Sequence, residues 1–312
     1  MKGKVAIILV VLLVILNTNL VRGKEMKNSF FRWDDFVDDF GGQMVSAEDV
    51  FINMTKGGLK ENTLLKFDFH FISNDKKNIE ALMEFLKDHY LYTFKPIIER
   101  KDKLWELTGL TNELPVTSDN LMYWVLDMFK RGYEFDSEFD GYGAPYDPKE
   151  QKYPDFSKDK EDYYFDLALD RYNTGDLSGS IINWSNVIKI NGKDVDSYYS
   201  RAIVKDELYT WKAALKDYDK AIEIAPNFIS ALLNRGSLKD ENEDYKGAIQ
   251  DYELVMNNKK SNNDDLKKVY FNLGNTYLNL DDKTKACKHW KKSSKLGADY
   301  ANEQIQKHCE RS

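Results

Sequence analysis

The side chains with the most chemical capacity gather at the end of this 312-residue chain, where Cys287, His289, His308 and Cys309 bring together both cysteines and two of the four histidines. Sulfur and imidazole ligands of this kind hold tetrahedral zinc. The spacing opposes that use: on a helix, residues two apart point to nearly opposite sides and adjacent ones diverge by about 100°, so neither Cys287 with His289 nor His308 with Cys309 converges on one ion. A disulfide between Cys287 and Cys309 asks only that their Cα atoms come within about 7 Å, closing a loop of about 22 residues. Two buried free thiols are the alternative. His70 and His89 stand apart, and no Ser, Cys or Asp pattern near any histidine matches a nucleophile elbow, a metalloprotease helix or a phosphate loop. No catalytic residue, metal or cofactor is therefore expected. Asp34, Asp35, Asp38 and Asp39 suggest calcium by type, but no twelve-residue loop with a central Gly and a closing Glu follows, so they read as a solvated face. Asn53-Met54-Thr55 and Asn183-Trp184-Ser185 match the N-glycosylation pattern, which matters only to a chain exported by a eukaryotic cell.

The elements that would position these groups begin after a leader. Lys2 and Lys4 precede an apolar run from Val5 to Leu16, and Gly23 follows. That pattern predicts a signal peptide over residues 1–23, cleaved after Gly23. The run is about 12 residues, short of the ~20 that span a bilayer, and no Cys nearby offers a lipid attachment, so no stable membrane anchor is expected. The expected location is exported, periplasmic or secreted. Net charge is -7, with 31% charged and 42% hydrophobic residues, a globular balance sufficient for two domains. Roughly eight of the excess negative charges precede residue 160, and no basic stripe for phosphates is read from the sequence, which argues against a nucleic-acid partner.

From Val195 to Phe228 the chain places Tyr198, Ala202, Ala214, Tyr218, Ala221 and Pro226 as two helices packed in a hairpin would need them. The pattern recurs at about 34 residues. Residues 161–194 carry Ala168, Ser180 and Trp184; residues 229–262 carry Gly236, Ala248 and Tyr252; residues 267–296, after a polar insertion, carry Tyr270, Gly274, Tyr277, Ala286 and Trp290; a capping helix fills 298–309. This spacing resembles a tetratricopeptide repeat (TPR) array, which implies an all-α solenoid that binds a protein or peptide and does no chemistry. Its inner groove would be lined by Phe165, Leu169, Tyr172, Tyr199, Ile203, Leu233, Phe271 and Asn275. Arrays that clamp a terminal carboxylate carry Lys and Asn at these places, and here only Asn275 matches. Arg201, Lys205, Arg235 and Lys239 on first helices, with Asp217 and Asp251 on second helices, predict ion pairs inside each repeat.

Before the repeats the periodicity alternates. A helix is predicted over Ala47 to Lys56, ended by Gly57 and Gly58, and Leu65, Phe67, Phe69 and Phe71 then alternate with polar residues as a half-buried strand. Ile79, Leu82, Met83 and Leu86 mark a helix capped by Asn74 or Asp75. Strands follow at Tyr92–Glu99, kept to a sheet edge by Pro96, and at Leu104–Leu110; a helix runs from Ser118 to Gly132, and a last strand spans Tyr133–Phe139. The order predicts an α+β domain over 24–146, a ferredoxin-like βαββαβ with both helices on one face of a four-stranded sheet. Residues 147–160, with Pro148 and Pro154, read as a linker to the repeat domain over 161–312. The open sheet face would present Lys66, Asp68, His70, Glu106, Thr108, Glu134 and Asp136, too acidic for RNA.

The helix before Gly57-Gly58, the strand Phe67–Phe71 and the ending through Asp140, Gly141, Tyr142 and Gly143 resemble the RraB family, named for regulators of ribonuclease E, over residues 45–147. The family has Trp where this chain has Tyr142. The resemblance implies an inhibitor of a cytoplasmic ribonuclease, a partner from which a signal peptide would separate this chain. The expected function is thus an exported, non-enzymatic, monomeric adaptor for a protein or peptide. The alternative is a regulator or inhibitor of an enzyme, nuclease-directed or otherwise, or an unrecognised enzyme centred on the N-terminal domain.

Overall fold

Three phenylalanines at alternate positions, Phe67, Phe69 and Phe71, are 1%, 0% and 0% exposed, and the sheet of the N-terminal half is built around them. The structure is a computed structural model described over residues 28–309, so the predicted leader and its cleavage point lie outside the described residues. The chain forms two units: the first runs to Pro154 and includes Thr174–Ser178, and the second comprises Asp155–Asn173 and the chain from Gly179.

The first unit contains helix α1 (Trp33–Lys56), strands β1 (Thr63–Leu65) and β2 (Asp68–Ser73), helix α2 (Lys76–Tyr90), strands β3 (Thr93–Phe94), β4 (Ile98–Glu99), β5 (Trp105–Leu110) and β6 (Leu114–Val116), helix α3 (Ser118–Glu134) and strand β7 (Glu138–Gly143). The main sheet is antiparallel in the order β3-β5-β2-β7, with β4 also on β5, and β1 pairs β6 in a separate ladder. Trp124 of α3 lies 5.2 Å from Phe67 and 6.2 Å from Phe69, ring centre to ring centre. Phe69 also crosses Gly109 of β5, where a Cβ would come within 2.2 Å of its ring. The Asp75 carboxylate caps α2 by accepting from the Lys77 amide at 2.9 Å, and α2 buries Ile79, Leu82 and Leu86.

Several expectations for this unit are corrected. Helix α1 starts at Trp33 and not at Ala47, because Phe36 stacks on Phe129 at 5.0 Å and Asp34 and Asp35 occupy its first turn, where the helix dipole favours negative charge. Tyr133 and Glu134 are helical: Tyr133 stands four residues after Phe129, shares its face, and packs on Phe36 at 4.9 Å. The last strand therefore begins at Glu138, and the Asp140–Gly143 motif lies within it. Asp136 leaves the sheet face and accepts from the Phe30 and Phe31 amides at 2.9 and 2.8 Å. Pro96 interrupts the second strand, leaving β3 at the sheet edge and β4 as a fifth strand. The stretch read as a linker also lies partly on this unit: Gln151 accepts from the Lys60 amide at 2.9 Å, and Lys152 accepts from the Leu64 amide at 2.8 Å.

The second unit is helical, with α4 (Glu161–Thr174, its last residue in the first unit), α5 (Leu177–Ile190), α6 (Val195–Glu207), α7 (Trp211–Ile224), α8 (Ile229–Glu241), α9 (Tyr245–Met256), α10 (Asn263–Asn279), α11 (Lys283–Lys295) and α12 (Tyr300–His308). Small residues on each first helix admit a ring from its second helix. A Cβ at Gly236 would meet Tyr252 at 2.7 Å, and one at Gly274 would meet Trp290 at 2.3 Å. The polar insertion expected before the fourth repeat is the first turn of α10, closed by a reciprocal capping box between Asn262 and Asp265.

These contacts predict opposite signs for one substitution in two helices. Gly274→Ala should destabilise by about 1–3 kcal/mol, because the Trp290 ring must move. Gly42→Ala, where a Cβ meets nothing within 4 Å, should stabilise by up to about 1 kcal/mol through helix propensity. Urea unfolding of the two variants measures both.

Candidate functional site

The predicted groove residues stand on the first helices of the repeats, α4, α6, α8 and α10, and a repeated charge cluster fixes how α6 and α8 lie against their neighbours. Arg201 donates to both Asp217 oxygens at 2.8 and 2.7 Å, and Lys205 reaches the same carboxylate at 2.8 Å. One repeat later Arg235 donates to Asp251 at 2.9 and 2.5 Å, and Lys239 joins at 2.8 Å. The ion pairs predicted inside each repeat are thus present, and each arginine does more. Arg201 also donates to the Ser185 hydroxyl at 2.9 Å, and Arg235 to Asp219 at 2.7 Å, in both cases on the second helix of the preceding repeat. One guanidinium therefore ties three helices. With Asp217 and Asp251 at 7% and 2% side-chain exposure, these are buried pairs, whose disruption costs far more than that of a surface pair.

On this frame the predicted groove residues divide. Leu169, Tyr172, Tyr199, Ile203, Leu233, Phe271 and Asn275 are half-buried, whereas Phe165 is 6% exposed and serves as core. Tyr172 donates to the Glu207 carboxylate at 2.8 Å, from the first repeat to the second. Asn234 donates to the Tyr199 hydroxyl at 3.3 Å, from the third repeat to the second. Burial pushes the Tyr199 phenol up to about 12, so it stays a neutral donor and acceptor. Ile203 and Leu233 pack on the cores of their own repeats. Phe271 meets Tyr300 of α12 edge-on at 4.7 Å, and Asn275 accepts from the Trp290 indole at 3.1 Å, so these two are engaged by the last repeat and its cap. Glu207 and Asn234 belong to the same line and are not among the groove residues predicted from the repeat spacing.

Cys287 and Cys309 are joined by a disulfide, with Cα atoms 5.7 Å apart, and this removes the thiolates a zinc site would use. The ring of His289 stacks on Tyr277 at 5.3 Å, and burial, then Lys292, Lys288 and Lys285, hold its imidazole down at about 4. It is neutral at pH 7.

In the first unit, the family-motif residues have structural work. The pairing of β2 with β7 shifts register between His70 and Phe71, opposite Gly141 and Phe139, so Asp140 is the extra residue of a bulge. Gly141 sits at φ 142°, a conformation that favours glycine. The bulge frees Asp140 to accept from Arg100 at 2.9 Å, while Tyr142 packs 5.3 Å from Trp124 and stacks 5.9 Å from Phe139. A buried cluster that the sequence reading missed lies near the end of α2. Asp127, at 0% exposure, accepts from the Tyr90 hydroxyl at 2.9 Å and from the Ser178 amide at 2.8 Å, while Arg131 donates to the Gly175 carbonyl at 2.8 Å. Every member is tied to another, and the cluster holds the Thr174–Ser178 segment in this unit.

The arginine clamps predict strong coupling: a double-mutant cycle on Arg235→Ala and Asp251→Ala, followed by urea unfolding, should give about 1–3 kcal/mol. Coupling below about 0.5 kcal/mol would mean that the pair is solvated.

Residues 267–296, the body of α10 with α11, match the tetratricopeptide repeat family model. No curated protein matches the chain. Among solved structures the chain is similar to PilF of Pseudomonas aeruginosa, at 22% identity over 45% of this chain and 63% of that one, with a TM-score of 0.41. It is similar to MamA of Desulfovibrio magneticus RS-1, at 18% identity over 48% and 88%, TM-score 0.42. It is also similar to YrrB, described as a TPR protein with an unusual peptide-binding site, at 16% identity over 61% and 86%, TM-score 0.43. Residues 267–296 form a tetratricopeptide repeat within a C-terminal region of paired helices.

Proposed function

We propose that this chain is an exported, non-enzymatic adaptor whose repeats hold a protein or peptide segment along their first helices. The observation that carries the reading is the half-buried line of Leu169, Tyr172, Tyr199, Ile203 and Leu233, with polar tips shared between repeats through Glu207 and Asn234. Such a line offers apolar surface beside hydroxyl and amide groups already held in place, which lowers the ordering cost of binding. Export is supported by the apolar run Val5–Leu16 behind Lys2 and Lys4. A second reading, in which the first unit regulates an enzyme as the RraB resemblance implies, is supported by its strand order. It is weakened by the use of Asp140 and Tyr142 within the fold itself.

Two measurements check the leading reading. Amino-terminal sequencing of the protein from the exported fraction should begin at Lys24. Affinity purification from that fraction, comparing wild type with Leu169→Asp/Leu233→Asp, should lose its specific partner by tenfold or more while circular dichroism is unchanged. Equal recovery from both proteins would end the groove reading. Phe165 and Phe271 are poor choices here, since truncating them opens the core.

A further inference from the structure

Helix α11 carries six lysines among its thirteen residues and no carboxylate, in a chain of net charge -7. Five of them fall on one arc, four exposed and Lys292 half-buried. Lys285, Lys288, Lys292 and Lys295 recur at i, i+3, i+7 and i+10, a straight row about 15 Å long at 1.5 Å of rise per residue, and Lys291 flanks it. Ala286, Trp290 and Ser293 take the opposite side and are buried. Among the described residues the row has one carboxylate partner, Asp282, which meets Lys285 at 2.8 Å. Among the described residues no carboxylate lies within 4 Å of Lys288, Lys291, Lys292 or Lys295. Aromatic rings do the holding: the Lys285 ammonium sits 4.9 Å above Tyr277 and that of Lys292 4.9 Å above Tyr270, with the neutral His289 ring between the two tyrosines. A cation above an aromatic face is restrained without being neutralised. The row is therefore ordered and keeps its charge.

We propose that this face docks an acidic segment of a protein partner, with carboxylates in a row matching Lys285, Lys288, Lys292 and Lys295. The proposal rests on the reading of the array as a protein-binding module and adds a second face, on a second helix and separate from the inner line. Charge and chemistry select this occupant. Lysine gives point charges to carboxylates, whereas planar recognition of phosphate calls for arginine, and α11 has none. A membrane surface would be expected to draw apolar side chains next to the lysines, and no large hydrophobic residue on α11 is exposed. A nucleic acid would meet an otherwise acidic chain.

The test uses the full chain and defined probes in 150 mM salt. Fluorescence anisotropy is read with a labelled 16-residue peptide carrying Glu at i, i+3, i+7 and i+10, and with a scrambled peptide of the same composition. A 12-nucleotide single-stranded DNA and vesicles of phosphatidylserine in phosphatidylcholine complete the set. The patterned peptide should bind at least fivefold more tightly than the scrambled one. Lys288→Glu/Lys292→Glu should weaken it tenfold or more, and Leu169→Asp/Leu233→Asp should leave it unchanged. The proposal is overturned if the scrambled peptide, the DNA or the vesicles bind as well, if the charge reversal has no effect, or if sedimentation shows the row occupied by a second copy of the chain. Because the two variant pairs affect different ligands, loss of the groove reading and loss of this one are told apart.

Discussion

The repeats depend on a guanidinium that reaches three helices at once. Hydrophobic burial brings the helices of a hairpin together, but burial is not directional, and rings can be accommodated over a range of crossing positions. Arg201 and Arg235 narrow that range. Each meets a carboxylate of its own repeat in a two-point geometry and a polar group of the preceding repeat, so the same side chain sets the pitch within a hairpin and between hairpins. The fourth repeat has no such arginine in α10, and there Trp290 over Gly274, with its indole on Asn275, sets the register. The line of half-buried tyrosines and leucines exists as a line because these registers agree.

The first unit reaches definition by other means. Its sheet is held by rings crossing glycines, Phe69 over Gly109, and by a bulge at Asp140 that turns a carboxylate out and Tyr142 in. The Asp127–Tyr90–Arg131 cluster adds a strongly polar element to this core. Burial pushes the Tyr90 phenol well above its ordinary value, which keeps it a proton donor to Asp127 over the whole physiological range. A buried charge of this kind adds little net stability compared with apolar packing, yet it admits few alternative arrangements.

Much of this was legible in the sequence, and the failures have physical causes. Helix pairs were legible because small and large residues alternate at fixed offsets, and the arginine pairs because oppositely charged residues recur at the same offset. The first half of helix α1 is hard to read from the sequence because Gly41 and Gly42 have poor helix propensity, which the tertiary packing of Phe36 on Phe129 overrides. Tyr133 fits both a strand of period two and the face begun by Phe129, and only the tertiary contact decides. Phe165 and Phe271 stood at groove positions by count, but burial and the neighbour Tyr300 are properties of three dimensions. The lysine row of α11 stands at i, i+3, i+7 and i+10 in the sequence, but a charge balance taken over half the chain hides it among acidic residues.

The bond between Cys287 and Cys309 also bears on what happens when the backbone is cut. Residues 287–309 form a closed covalent ring, with Gly297 at φ 90° in the exposed turn between α11 and α12, a natural place for a protease to enter. A chain nicked there stays in one piece. The capping helix cannot diffuse away, and its return to Trp290 and Phe271 is an intramolecular step at high effective concentration. In an environment rich in proteases the array would thus keep its closed end after damage that would strip the cap from an unlinked chain.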